Sequence, residues 1–342
     1  MNEPESLERR CEDFRKAAAS LFAEIGKAVV GHEEVVRQTV AAILAGGHAL
    51  LEGVPGIGKT LLVRTLAQCM SLKFQRIQFT PDLMPADITG TNLVAEGDDG
   101  RRRFEFHRGP IFGNLILADE VNRATPKTQS ALLEAMQEQA VTAGGSRYAL
   151  EAPFFVLATQ NPIEMEGTYP LPEAQVDRFL FKILVTMPSL EGLLEVLDRT
   201  TGRPGEALRA VLSGPQVLAM QALVRELPAP KPVLSFAARL VLSTHPDSAQ
   251  AIPLVKKYVR YGASPRAGQA LLLAGKVFAL LAGRPCLSFE DVRAAAKPAL
   301  RHRIILGFDG EAEGVRTDAI VQKLLEEVPE APGRAGELLG KA

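Results

Sequence analysis

Residues Leu50 to Thr60 read LLEGVPGIGKT, and this stretch sets the fold. From Gly53 to Thr60 it fits G-x-x-x-x-G-K-[ST], the pattern of a loop that wraps phosphate. Its glycines let backbone N–H groups turn toward phosphate oxygens, and a following helix adds the positive end of its dipole. Lys59 is placed to reach the β- and γ-phosphates, and the Thr60 hydroxyl to ligate Mg²⁺. The apolar run HALLEGV before the loop reads as a strand, and KTLLVRTLAQCM after it as a helix. A chance glycine-rich turn would lack that context.

Four more short apolar runs follow: KFQRIQF, NLILADE, FFVLATQ and FLFKILV. Between NLILADE and FFVLATQ lies ATPKTQSALLEAMQEQ, with Thr125 as N-cap and Pro126 as first helical residue. Buried strands alternating with helices predict an α/β fold: a mainly parallel sheet covered on both faces. Two inserts decorate it. TNLVAEGDDGRRRFEFH reads as two strands around a Gly-Asp-Asp-Gly turn, and VTAGGSRYAL as a hairpin around Gly144-Gly145. Ahead of the core, Ser6 to Val30 reads as one helix. Beyond Pro188 helical patterns dominate to Pro329, so residues 1–187 read as the α/β core, 188–330 as an all-helical second domain and 331–342 as a flexible tail.

NLILADE ends in Asp119-Glu120, and an acidic residue ending a buried strand is where a phosphate-loop protein holds its metal. The adjacent carboxylate suits an enzyme that must orient and activate water. Asn161, at the end of VLATQNP, could donate to a γ-phosphate and accept from the attacking water; Asn-Pro also simply makes a turn. Arg178 in AQVDRFLF is either a solvated charge or a functional cation. Arg266 stands one residue past Pro265, which with Ser264 as N-cap opens a helix. A cation in a first helical turn opposes the dipole and asks for an anionic partner, such as a γ-phosphate held by the other domain. LSGPQ (Leu212 to Gln216) resembles a transporter ATPase signature but falls after the acidic strand, and is read as a loop. No Asn-Lys-x-Asp segment is present to read guanine.

Composition narrows the class. The 342 residues are 46% hydrophobic and 23% charged with a net charge of −1, which argues against a generally basic nucleic-acid binder. No run is long and apolar enough to cross a bilayer, and the N-terminus lacks the apolar stretch of a signal peptide. Cys11, Cys69 and Cys286 form no CxxC pair and suit a reducing compartment, so a cytoplasmic location is expected.

The order is then phosphate loop, paired carboxylates, Asn-ended strand, arginine, and a helical domain with its own arginine. This resembles an AAA+ ATPase. GPIFGNLILADEVNRATPKTQSALLEAMQEQAVT, FFVLATQNPIEMEGTYPLPEAQVDRF and YGASPRA further resemble the MoxR family of AAA+ proteins, over nearly all of Val30 to Glu327. The resemblance implies ATP and Mg²⁺ as cofactors. It makes Gly53, Pro55, Gly56, Ile57, Gly58, Lys59, Thr60 and Leu61 the Walker A contacts, and Asp119 with Glu120 Walker B, Thr60 and Asp119 serving the metal. Asn161 becomes sensor 1, Arg266 sensor 2, and Arg178 an arginine finger acting on a neighbour's nucleotide. Val30-Gly31 would lie against adenine, with His32 where relatives commonly carry glutamine. The two hairpins match the helix-2 and pre-sensor-1 inserts of a branch that also holds magnesium chelatase subunits. The family implies a homo-oligomeric ring, most commonly a hexamer, and chaperone-like remodelling or metal and cofactor insertion alongside a von Willebrand factor A (VWA) domain protein. Two competing readings are a DNA-directed motor using Arg101-Arg102-Arg103, and a nucleotide-switched assembly scaffold with little turnover.

Overall fold

The computed structural model describes residues 6–96, 102–162, 167–202 and 206–330. Its strands are, in order, β1 (Ala49–Glu52), β2 (Phe74–Gln78), β3 (Gly90–Glu96), β4 (Arg102–Arg108), β5 (Leu115–Asp119), β6 (Ala140–Ala143), β7 (Ser146–Ala149), β8 (Phe155–Gln160) and β9 (Phe181–Leu184). Five of these form one sheet in the order β2-β5-β8-β1-β9. Every pairing in it is parallel, so the strands share one C-terminal edge.

Successive residues along each strand are apolar because both faces are covered. Leu51, Leu117 and Leu157 face helices Leu7–Ile25, Glu33–Leu44 and Lys59–Cys69. Leu50, Ile116 and Val156 face helix Pro126–Glu138. Thr125 caps that last helix and Pro126 opens it, as the sequence predicts. The N-terminal helix stops at Ile25 rather than running to Val30, with Gly26 as its C-cap.

Both inserts are antiparallel hairpins. β3 and β4 pair from Gly90↔Arg108 to Glu96↔Arg102; the predicted Gly-Asp-Asp-Gly turn and Arg101 lie outside the described residues. β6 and β7 turn through Gly144 (φ 56°) and Gly145 (φ 80°), left-handed conformations that a two-residue hairpin loop demands. The hairpins meet where Phe106 stacks on Tyr148 with ring centroids 4.0 Å apart.

From Leu190 onward the chain is mostly helical, ending in helix Thr317–Glu327. It is not wholly so. β10 (Val259–Tyr261) pairs antiparallel with β11 (Ile305–Leu306), joining two segments that helical periodicity leaves unassigned. LSGPQ is not a loop either: Ser213 and Gln216 form a reciprocal capping box that starts helix Gly214–Glu226. Helix Pro265–Leu281 packs on Leu7–Ile25 and Glu33–Leu44, so one continuous apolar core runs from the sheet into the helical part. Residues 331–342, read from sequence as a tail, lie outside the described residues.

Candidate active site

The loop Gly53–Gly58 leaves the C-terminal end of β1 and enters helix Lys59–Cys69. A side chain at position 53 would meet the Val185 carbonyl oxygen at 2.4 Å, so only glycine allows β9 to lie this close. Gly58 caps the helix at φ 86°, in the left-handed region that glycine adopts freely. The first N–H groups of the helix, at Lys59, Thr60 and Leu61, have no intrahelical acceptor and face the loop as anion donors. Lys59 Nζ donates to the Gly53 carbonyl at 2.5 Å. Burial lowers its pKa, while Asp119, Glu120 and Glu52 act in the opposite direction.

The carboxylates stand at the same edge. Asp119, the last residue of β5, is buried; its Oδ1 accepts from Thr159 Oγ1 at 2.7 Å. Its Oδ2 accepts from Arg76 Nε at 3.1 Å and Arg76 Nη2 at 2.7 Å. Glu120 sits at φ 57°, a conformation that costs a side-chain-bearing residue energy, and its N–H donates to Thr159 Oγ1 at 2.8 Å. The Glu120 carboxylate accepts from Gln78 Nε2 at 2.9 Å and pairs with Arg123 Nε at 3.2 Å. Asn161, buried, follows β8 at this edge, between the strands that carry Asp119 and the phosphate loop. Among the described residues no group of three His, Cys, Asp or Glu forms a metal cage. One carboxylate and one hydroxyl suit Mg²⁺, which takes its other ligands from phosphate and water.

Arg178 and Arg266 are elsewhere. β9 pairs in parallel with β1, Phe181 opposite Ala49, so the residues just before β9 lie at the N-terminal end of the strands. Arg178 there donates from Nη1 to the Leu133 carbonyl at 2.9 Å, and lines a hollow of 280 Å³ with Glu134, Glu138 and Gln175. Arg266 finds its anion in Asp177, at 3.2 Å, rather than across the domains at the phosphate loop. Asp177 also accepts from Ser264 Oγ at 2.8 Å and from Arg303 Nε at 2.8 Å. Burial alone would raise the Asp177 pKa; the bonds from Ser264, Arg303 and Arg266 outweigh it and hold the carboxyl below its ordinary value. Buried Arg303 further donates to the carbonyls of Asp177 and Phe179 and so clamps the segment around Arg178.

Gly31 (φ 71°) packs on Pro188 and Gly192, where a β-carbon would meet Pro188 Cβ at 2.9 Å. Val30, buried beside it, lines an apolar cleft of 480 Å³ with Phe22, Val36 and Leu281.

Comparison with known proteins identifies the family and the fold. Residues 48–181 match the profile of the ATPase family associated with various cellular activities (AAA), and residues 253–324 match an AAA lid domain. The chain is 41% identical to Chaperone MoxR1 of Mycobacterium tuberculosis over 305 residues, covering 89% of this chain and 80% of that protein. It belongs to the MoxR family of AAA+ ATPases. It is also 41% identical over 320 residues to the uncharacterised YeaC of Bacillus subtilis, covering 93% of this chain and 96% of that one. A crystal structure from Cytophaga hutchinsonii, provisionally assigned as an ATPase, superposes with a TM-score of 0.88 at 42% identity, covering 94% of this chain and 97% of that one.

This MoxR-family ATPase thus gathers Lys59, Thr60, Asp119, Glu120 and Asn161 at one edge and sets Arg178 with Arg266 at the other. Sequence reading missed Asp177, Arg303, Arg76 and Gln78. Arg76 and Gln78 left a signal: they stand two residues apart in RIQF, polar side chains on one face of a strand.

Proposed function

We propose that this ATPase hydrolyses Mg²⁺-bound ATP at interfaces between copies arranged in a ring, and uses the cycle to remodel protein partners. The observation that carries this reading is the separation of Arg178 and Arg266 from the chain's own phosphate loop. Arg178 and Arg266 are held together by the Asp177 neighbourhood, at the strand ends opposite Gly53. Cations so placed cannot serve their own loop, but they can serve that of an adjacent copy.

The chain's own residues divide the work. The loop N–H groups and Lys59 hold the phosphates, and Val30-Gly31 borders the base. Thr60 and Asp119 would hold Mg²⁺, which neutralises charge on the β- and γ-phosphate oxygens when bound. Glu120 takes a proton from the attacking water, and Asn161 orients that water against the γ-phosphate. The neighbour's Arg178 stabilises negative charge in the transition state, with its Arg266 alongside. A six-membered ring, a VWA-domain partner, a protein client and a cytoplasmic setting follow from the family likeness. The word chaperone in the name of the Mycobacterium tuberculosis relative supports remodelling over a DNA-directed role.

ATP turnover per subunit, measured across a dilution series alongside mass by light scattering, tests the proposal. Specific activity should fall as rings dissociate. Activity that stays constant in a monomer would overturn the shared site.

A further inference from the structure

Helix Leu190–Thr201 is mounted with its apolar face outward. Leu190, Leu194 and Leu197 recur at i, i+4 and i+7 and so share one face, yet they are 70%, 58% and 50% exposed. The face turned to the core carries Gly192, packed on Gly31, and Arg199, whose Nη1 donates to the carbonyls of Gly26 at 2.8 Å and Lys27 at 2.9 Å. Met187, two residues ahead of the N-cap Ser189, adds to the exposed apolar surface. A stripe of large apolar side chains left open to water marks a surface that another macromolecule covers.

Its place in the fold says which one. The segment from Val185 to Gly192 runs along the C-terminal edge of the sheet: the Val185 carbonyl abuts Gly53, and Pro188 and Gly192 abut Gly31. The leucines therefore stand beside the phosphate loop, the end to which the proposed function brings a neighbour's Arg178 and Arg266. That neighbour carries exposed apolar groups of its own near those arginines. Tyr261, the last residue of β10 and five residues ahead of Arg266, is 54% exposed; β11, paired with β10, leads to Phe308, 84% exposed. Both strands are tethered to the arginine cluster, since Ser264 follows β10, Arg303 precedes β11, and both bind Asp177. Charge matches as well. Exposed Glu191 and Asp198 border the leucine face, and exposed Arg260 lies over the Tyr261 ring, 5.1 Å from its centroid.

We infer that the leucine face of one copy seats the β10–β11 end of the next copy's helical part, with Tyr261 and Phe308 as aromatic anchors. This rests on the shared-site reading and adds the surface that holds two copies in register. Stripe and anchors lie on different elements of one chain, so the contact runs head to tail and every copy offers both halves. Burying the stripe against the anchors also brings Arg266 toward the phosphate loop beside the leucines.

Two variants of the full chain and their mixture test it: Leu194→Glu spoils the stripe and spares the anchors, and Phe308→Glu does the reverse. Sedimentation velocity with a non-hydrolysable ATP analogue reads assembly. Thermal melts and nucleotide affinity should stay unchanged, because both residues are exposed. Each variant alone should need roughly tenfold more protein, or beyond, to assemble than the unaltered chain. Mixed in equal amounts, the two should form one-to-one pairs and nothing larger. Only the anchors of the Leu194→Glu chain and the stripe of the Phe308→Glu chain are intact, so one interface forms and cannot propagate. If either charge disturbs the melt, Leu197→Ala and Tyr261→Ala, milder changes on the same two patches, must show the same shift toward dissociation. Assembly unchanged in the variants would overturn the inference and leave the stripe to a different protein; a mixture no more associated than its parts would overturn the pairing of stripe with anchors. An unaltered chain that stays monomeric with nucleotide would instead remove the ring reading itself, and this inference with it.

Discussion

The two ends of the central sheet are built on different principles. At the C-terminal edge, Gly53–Thr60, Asp119-Glu120 and Asn161 each extend a strand of the same sheet, so parallel pairing alone brings them together. At the opposite end, Arg178 is held by a net of side chains from distant parts of the chain: Ser264, Arg266 and Arg303 all converge on Asp177. The first end is a socket that one chain completes. The second is a set of cations whose position depends on how the helical part sits on the core. On the proposed function, a subunit supplies the phosphate socket of one site and the arginines of the next, and the contacts of Ser264, Arg266 and Arg303 with Asp177 tie the helical part to the second.

The difference can be attacked residue by residue. The largest effect belongs to Arg178→Ala, which should cut kcat by about 10³–10⁵ while leaving nucleotide affinity of the same subunit intact. Steady-state hydrolysis beside equilibrium binding of a fluorescent nucleotide checks this. A matching loss of affinity would move Arg178 to the first end.

Next is Asp177→Ala, which strands the buried Arg303 guanidinium. Removing one partner of a buried pair costs about 3–5 kcal/mol, read by urea denaturation. Because Arg266 is released as well, turnover should fall further than unfolding alone explains. An unchanged midpoint would show that the lid is held by apolar packing only.

His48 sharpens the comparison from beneath the socket. Its Nδ1 accepts from the Val156 N–H at 3.0 Å, so Nε2 carries the proton toward the Met136 carbonyl at 3.2 Å and the ring is neutral. Burial lowers its pKa from 6.5 to about 4, a shift that the Met136 bond only partly offsets. As pH falls below 6.5 the unfolded chain takes up the proton first. Stability should therefore drop between pH 6.5 and 4 by roughly 3 kcal/mol, and be flat on this account above 6.5. A His48→Phe variant should lose that slope in pH-dependent thermal melts.

The smallest effect is expected on the exposed insert: Arg102→Ala should change stability by less than about 0.5 kcal/mol and leave turnover unaffected by added DNA. DNA-stimulated turnover lost in this variant would revive a motor acting on nucleic acid.

How much of this was legible follows the same division. The phosphate loop and Asp119-Glu120 are each a single short stretch of sequence, and the strands and helices beside them make them readable without distant neighbours. The caps at Thr125-Pro126 and Ser264-Pro265 are equally local, and the structure keeps both. Arg266 was legible as a cation in need of an anion. Which anion was not, because Asp177 lies 89 residues away and meets it only through the lid's placement. Arg303 is farther still, 126 residues from Asp177, in the turn between helix Phe289–Leu300 and β11, where the sequence gives no sign of a buried guanidinium. Arg76 escaped notice for a related reason: its meaning depends on the β2–β5 register, which pattern alone leaves open. The β10–β11 pair was lost to length, since strands of three and two residues carry no readable period.

The shared site is tested most directly by mixing subunits. Glu120→Gln supplies an intact Arg178 but no base, and Arg178→Ala supplies an intact base but no finger. Each alone should be nearly inactive, and the mixture should regain hydrolysis as interfaces form that pair a native Glu120 with a neighbour's native Arg178. A mixture no more active than the sum of its inactive parts, in rings shown to exchange subunits, would contradict the account.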